Sequence, residues 1–292
     1  MMSRTTSSGQ ASVRLLCAAF DLSTQAYYAA RRPRILRAAA RRERAGPWAT
    51  AAEVEAAGRR LCADNPAWGV RKIHAVMRRE GIVASRRRTW AVMRAQGLVL
   101  PPPERREGPA LRGHVVVPGS NRRWATDMTT VWTRLDGVVA VSPAVDCGDR
   151  FLLALGVSRS QEAPALLAPV RTALVEAFGA PGAVPDGLEV RTDHGPQYTG
   201  ADMAELCGAW SLLHTLAPVG RPSGNAVAER LIQTMKLECV WTRDWKTIAE
   251  PRTELEAWRT RYDHKRPHQA LDWLTPGEKR AKNLAARASR VA

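Results

Sequence analysis

From residue 124 the chain keeps a period of two. Trp124, Thr126, Met128, Thr130 and Trp132 alternate with Ala125, Asp127, Thr129 and Val131, which predicts a strand. Asp136-Gly137 supplies a hairpin turn, and residues 138–146 resume as a second strand. A third is expected over 151–157. The rhythm then lengthens: residues 165–178 carry apolar side chains at roughly helical spacing. Pro164 suits a first helical position, Pro169 is expected to kink this helix or mark its true start, and Pro181 and Pro185 lie past its end. Residues 188–192 predict a strand that delivers Asp193 into the turn-rich segment 194–198. A helix over 201–210 and a short strand around 214–216 follow. Residues 218–224 break the chain, and 225–238 read as a helix with Asn225, Glu229, Gln233 and Lys236 along one face.

The first 100 residues show the helical period instead. Residues 13–20, 21–24 and 26–30 read as helix, turn and helix, with Ser23 as the N-cap of the second. Val70, Ile73, Val76 and Met77 mark another amphipathic helix that Gly81 ends. Trp90, Met93 and Leu98 mark its successor, starting near Ser85, with Arg86, Arg87 and Arg88 in its first turn. The second helix of a helix-turn-helix meets base edges with its N-terminal residues, so these arginines are the candidate DNA contacts. Non-specific phosphate contact is the simpler of their two possible jobs. Residues 100–109 are Pro-rich and charged, a semi-rigid linker. The expected organisation is a helix-turn-helix-like segment over 1–48, a second such module over 49–100, a linker over 101–117, a core over 118–282 and a basic tail over 283–292.

Charge sharpens this division. Residues 1–123 hold 24 Lys and Arg against 8 Asp and Glu, which is the whole net charge of +16, whereas the remaining 169 residues hold 20 of each. A basic half of this size favours a polyanionic partner, with a membrane surface or plain solubility as the other causes. The five cysteines form no C-x-x-C pair, which argues against a disulfide framework or a zinc knuckle. With no signal peptide and no apolar run near 18 residues, the expected location is the cytoplasm, bound to DNA, with no membrane partner.

Three carboxylates stand out by context: Asp127 in the first strand, Asp193 where a strand opens into a loop, and Glu229 on the polar face of a helix. Spacing alone proves little among 28 acidic residues. Asp146 and Asp202 read as ordinary strand-end and first-turn carboxylates. His264 and His268 are flanked by Lys265, Arg266 and Pro267, and are expected to pack or face DNA rather than bind metal. Ten tryptophans against three phenylalanines is unusual. Most should be core or interface; stacking on splayed nucleotides is open to some of them, without a sign of which.

The motifs Trp124-x-Thr126-Asp127, Thr192-Asp193-His194-Gly195-x-Gln197-Tyr198 and Asn225-Ala226-x-x-Glu229 occur in order, with 35 residues between Asp193 and Glu229. Downstream come Tyr262-x-x-x-Arg266-Pro267-His268-x-Ala270-Leu271 and Leu274-Thr275-Pro276. In these the chain resembles bacterial insertion-sequence transposases of the two-reading-frame OrfB type (the IS-three group), of the retroviral integrase superfamily. The segment 69–98 likewise resembles the helix-turn-helix that precedes the core in that family. The resemblance implies an α/β fold: an RNase-H-like integrase catalytic core, a mixed sheet flanked by helices, preceded by all-α helix-turn-helix modules. It implies DNA cleavage and strand transfer with two Mg²⁺ ions, for which Mn²⁺ substitutes. Asp127 would bridge both ions, with Asp193 and Glu229 completing one each. In-line displacement at phosphorus needs charge stabilised on both attacking and leaving oxygens, which two hard cations held by carboxylates provide.

By the same resemblance Lys236, Gln197 and Asn225 would lie against DNA. The partners would be double-stranded DNA, as element ends and target, further copies of the chain, and a first-frame protein or a frameshift fusion with it. Two departures are visible: Gly224 stands where many members carry an acidic residue, and His194-Gly195-Pro196 replaces the commoner Arg-Gly-Ser. Two other readings remain open from sequence, a metal-dependent nuclease of the same fold that cuts without joining, and an inactive DNA-binding remnant of an insertion sequence.

Overall fold

The computed structural model describes residues 48–101, 116–218 and 224–291, together with Cys17 and Ser23. The expected helix-turn-helix over 13–30 and most of the Pro-rich linker lie outside the described residues.

Three helices come first, α1 (Ala51–Asp64), α2 (Val70–Arg79) and α3 (Arg86–Ala95). α1 is an addition to the sequence reading. Its start is a capping box: Thr50 Oγ1 accepts from Glu53 N at 3.2 Å while Thr50 N donates to Glu53 Oε2 at 2.6 Å. Gly81, at φ 80°, closes α2, and Ser85 Oγ accepts from Arg88 N at 3.1 Å to open α3. Val54, Leu61, Trp68, Ile73, Met77 and Met93 bury themselves between the three helices. Each large apolar side chain so buried contributes roughly 1.5–3 kcal/mol. Trp90 departs from its expected place on the apolar stripe. It is 41 % exposed, with the Arg94 guanidinium 5.1 Å from its ring centre. The buried positions of α3 are Thr89 and Met93, four residues apart, and residue 90 lies about 100° round the helix from Thr89.

A six-stranded mixed sheet follows: β1 (Arg123–Thr126), β2 (Thr129–Thr133), β3 (Gly137–Asp146), β4 (Leu152–Ser158), β5 (Glu189–Thr192) and β6 (Leu213–Leu216). β3 pairs antiparallel with β1, β2 and β4, while β5 runs parallel to both β1 and β6. The single strand expected over 124–132 is thus divided after Thr126. Its two parts nevertheless share one register against β3, Thr126 facing Ala144 and Thr129 facing Val141, so Asp127 faces Pro143. Cys147 N donates to Arg123 O at 2.8 Å, which puts the backbone groups of the odd-numbered residues toward β3. Opposite Asp127, Pro143 has no N–H to give, and the ladder opens at that carboxylate.

Helices cover both faces. On one side α4 (Ala163–Phe178), the single turn α5 (Pro196–Thr199) and α6 (Ala201–Ala209) pack on Trp124, Leu153, Ala154 and Val190. On the other, α7 (Ala226–Glu238) and α8 (Ala249–His264) pack on Ala125, Val131, Val139 and Val141. α4 runs through Pro169 instead of starting there. The ring is buried against β4, where a Cβ on Gly156 would come within 2.6 Å of Pro169 Cγ. A last helix, α9 (Pro276–Val291), continues across 282/283, where a basic tail was expected to begin. Among the described residues no helix is long and apolar enough to cross a membrane.

α9 is fastened to the core by charge. Asp146 and Asp149 are fully buried at the β3–β4 turn, and Arg280 Nη1 reaches both, at 3.2 and 3.1 Å. Asn121 N donates to Asp146 Oδ2 at 2.6 Å, and Ser120 Oγ to Asp149 Oδ2 at 2.5 Å. Asp146 therefore has a structural post at the far end of the strand from Asp127. The helical module is fastened in the same way: Lys72 Nζ lies 3.1 Å from Glu238 Oε1 at the end of α7, and Arg266 Nε binds the same carboxylate at 2.9 Å. Arg79 binds Glu278 at 2.6 Å. Tyr262 and the half-buried His268 ring meet edge-on at 4.9 Å. The closing sequence motif is thus a packing knot at the end of α7, and burial pushes the His268 pKa well below its ordinary value.

Candidate active site

Asp127 occupies the gap in the strand. Its Oδ1 accepts from Met128 N at 2.7 Å, taking up an amide the sheet leaves free. Burial raises the Asp127 pKa to about 6, and the nearby Asp193 and Glu229 carboxylates push the same way, while the Met128 amide and Lys236 pull it down. The three carboxylates singled out in the sequence therefore share one electrostatic neighbourhood, although they arrive on three separate elements.

Asp193 sits just past β5, the parallel neighbour of β1. Its Oδ1 accepts from Gly195 N at 3.0 Å, forming a tight turn. A Cβ on Gly195 would lie 2.8 Å from Gln197 Oε1 and 3.1 Å from Asp193 Oδ1, so glycine keeps this loop closed around the carboxylate. His194 Nε2 meets Ala217 O at 2.7 Å and ties the loop to the end of β6. Glu229 lies in the first turn of α7 and is exposed. Asn225 departs from the expected DNA-facing position: it is only 4 % exposed, and its Nδ2 donates to Thr126 O at 3.1 Å. It moors α7 to the strand one residue before Asp127. Gly224 has its own reason, since a Cβ there would lie 2.8 Å from Ala217 Cβ and 2.9 Å from Pro218 Cδ.

The donor set suits a hard divalent cation. Among the described residues, the buried side-chain oxygens or nitrogens without a hydrogen-bond partner are Thr126 Oγ1, Tyr198 OH and Asn225 Oδ1. All three flank Asp127: Thr126 precedes it, Asn225 binds Thr126, and Tyr198 feels both the Thr126 hydroxyl and the Asp127 and Asp193 charges, so that Asn225 Oδ1 is the atom left with no partner at all. No three His, Cys, Asp or Glu side chains of the described residues converge tightly enough to enclose a metal ion by themselves. Three carboxylates alone repel one another, and Mg²⁺ in any case keeps waters and substrate oxygens in its shell.

Lys236, two turns beyond Glu229, holds its Nζ 5.8 Å from the Trp241 ring centre. Arg86 and Arg87 are exposed at the start of α3, and Arg88 half-buried. The sequence reading missed the mooring role of Asn225 and the exposure of Trp132 and Trp241, because both depend on which distant elements meet.

Two integrase core domain families match the chain, over residues 118–222 and 212–276, and an HTH-like domain family matches residues 51–106. The uncharacterized 31.7 kDa protein of insertion element IS407 from Burkholderia multivorans is 29% identical over 224 residues, covering 75% of this chain and 77% of its own. The transposase for insertion sequence element IS904 from Lactococcus lactis is 26% identical over 222 residues, covering 72% and 85%. A chain in the cryo-EM structure of the simian T-cell lymphotropic virus intasome with PP2A regulatory subunit B56 gamma overlays with a TM-score of 0.47 at 15% identity, over 68% of this chain and 67% of that one. With its carboxylates at the end of a mixed sheet, integrase-core matches from 118 to 276 and a helix-turn-helix-like match before them, the chain belongs to the integrase-core transposases of bacterial insertion sequences, polynucleotidyl transferases of the OrfB, IS-three type.

Proposed function

We propose that Asp127, Asp193 and Glu229 are the metal-holding carboxylates with which this transposase cuts the ends of its element and joins them to target DNA. The observation that carries the assignment is the placement of Asp127: it sits at a gap in the sheet with its Oδ1 held by the Met128 amide, where burial first and the Asp193 and Glu229 charges next raise its pKa to about 6. Bound Mg²⁺, or Mn²⁺ in its place, supplies the positive charge that in-line displacement at phosphorus requires and lowers the pKa of a bound water. The chain's own groups do the rest. Asp127 is held in line by the Met128 amide, Asp193 by the Gly195 amide, and Glu229 by the helix that Asn225 moors. Lys236 offers a point charge to a DNA phosphate, and Gln197 lies in the loop beside Asp193.

The division of labour follows the charge. A module over 49–100, with Arg86, Arg87 and Arg88 toward phosphates, grips duplex DNA, and a core over 118–282 performs the chemistry, with residues 101–117 as linker and 283–292 as tail. Copies of the chain, with or without a first-frame protein, assemble on the DNA.

The test is a strand-transfer assay with labelled terminal-repeat DNA, Mg²⁺ or Mn²⁺ and a target plasmid, comparing wild type with Asp193→Asn. Joined products from wild type alone are expected. Cleavage without joining points to a nuclease; an unchanged Asp193→Asn variant removes that carboxylate from the site. Replacing Arg86, Arg87 and Arg88 together with Ala should weaken end binding and flatten its salt dependence by about one unit per lost phosphate contact. A constant salt slope would strike these arginines from the interface.

A further inference from the structure

Trp132 and Trp241 are large aromatic side chains left in water, 61 % and 65 % exposed, in a chain that buries Trp124, Trp245 and Trp258. They come from different elements, Trp132 from β2 and Trp241 from the short 3₁₀ turn Val240–Thr242 that follows α7. Both line one open concavity of about 610 Å³, together with Thr130, Arg243 and Trp245. The Lys236 ammonium sits 5.8 Å from the Trp241 ring centre, and the Arg243 guanidinium 5.4 Å from that of Trp245. The carboxylate on this rim, Asp244, is paired with Arg134 at 2.7 Å. The cleft thus offers flat π faces among cations; its lining carboxylate is paired with Arg134, and Arg243 has a longer contact of 3.6 Å with Glu254 behind it.

We propose that this cleft is a stacking site for unpaired nucleotides of the DNA that the carboxylates act on, with Trp241 as the main platform and Trp132 as a second. Within a duplex, paired bases present only their edges in the grooves, so away from its ends an exposed indole stacks on a base released from the helix. Stacking of that kind depends little on sequence. Phosphates flanking the base meet Lys236 and Arg243, and a cation beside an aromatic ring is the usual make-up of a single-strand track. Trp132 lies on β2, five residues beyond Asp127, and Trp241 follows the helix that carries Glu229, so the cleft is built on the elements that bring two of the carboxylates. The proposal rests on the active-site reading for the identity of that DNA, not for the stacking itself. Leu135 and Val138 are exposed nearby, with Val138 the cross-strand partner of Trp132, so a second copy of the chain is the competing occupant.

The experiment uses the full chain carrying Asp193→Asn, without added metal, and a short duplex that ends either blunt or in a single-stranded thymidine overhang containing a fluorescent purine analogue. Affinity is read by anisotropy, stacking by the analogue's emission, and self-association by sedimentation. Trp241→Ala should lower affinity for the overhang about tenfold and relieve its quenching, with blunt-duplex affinity within about threefold, since one lost base stack is worth that much. Trp132→Ala should do the same to a smaller extent, and Trp241→Phe should keep most of both signals. Undiminished overhang preference and quenching in the Trp132→Ala, Trp241→Ala double variant would overturn the proposal, as would equal losses on both DNAs. Loss of self-association with overhang preference intact would give the face to a second copy. Cleavage by the Asp193→Asn chain once metal is added would sink the active-site reading alone and leave the stacking result standing.

Discussion

Two groups of carboxylates lie at opposite ends of β1, and they respond differently to the same problem. Burial raises Asp127 and Asp146 alike to a pKa of about 6, and in each case neighbouring carboxylate charge adds to the effect. At Asp146 the protein supplies the remedy itself: Arg280 reaches both Asp146 and Asp149, and backbone amides of Asn121 and Gly148 add hydrogen bonds. At Asp127 the fold supplies one amide and a lysine acting from a helix away, and leaves the buried Asn225 Oδ1 beside it without a partner. A buried acidic cluster with its own arginine fastens structure. A half-buried carboxylate flanked by two exposed ones is set up for a cation that comes from outside.

The comparison breaks most visibly through activity. Asp127→Asn should lower metal-dependent cleavage by at least ~10³-fold while leaving duplex binding within a few-fold. A strand-cleavage assay beside a binding titration separates the two, and parallel losses would contradict the contrast. Next in size, Arg280→Ala should destabilise the core by about 3–5 kcal/mol, because it strands two buried carboxylates, a loss that the denaturation midpoint in urea would record.

Asp263 gives a pH version of the same argument. It is buried on α8, its Oδ1 accepts from Leu152 N at 2.9 Å, and burial raises its pKa to about 8. A carboxyl raised in the folded state favours folding below its unfolded value, near 3.8. That advantage is lost as pH climbs toward 8, with a slope of up to ~1.4 kcal/mol per pH unit. Asp263→Asn should flatten this slope in stability curves taken between pH 4 and pH 8, and an unaltered slope would assign it to other groups. The smallest effect belongs to Arg134→Ala, which breaks an exposed pair with Asp244 and should leave Tm within experimental error.

What the sequence disclosed was local. The period-two run at 124–132, the Asp136-Gly137 turn, the Ser85 cap and the polar face of residues 225–238 each rest on neighbours within a few positions. Thr50-x-x-Glu53 is equally local and marks the start of α1. The triad could be picked out only through family motifs, since nothing within a few residues of Asp127 reveals that Asp193 and Glu229 converge on it. Asn225 and Asp146 were out of reach for the same reason: their partners, Thr126 and Arg280, lie 99 and 134 positions away. Trp90 misled because an apolar residue near a helical stripe was assumed to face inward.

The opening of the ladder between Asp127 and Pro143 also has a spectroscopic consequence. The amide of Met128 looks away from β3 and is held by the Asp127 carboxylate. Its rate of exchange with deuterated water is therefore a gauge of that carboxylate's occupancy. Protonation of Asp127, or capture of its oxygen by a cation, loosens the one acceptor this amide has among the described residues, while the ladder amides of β3 keep theirs. The site thus carries an isotopic reporter in its own backbone, readable in deuterated water without substrate or turnover.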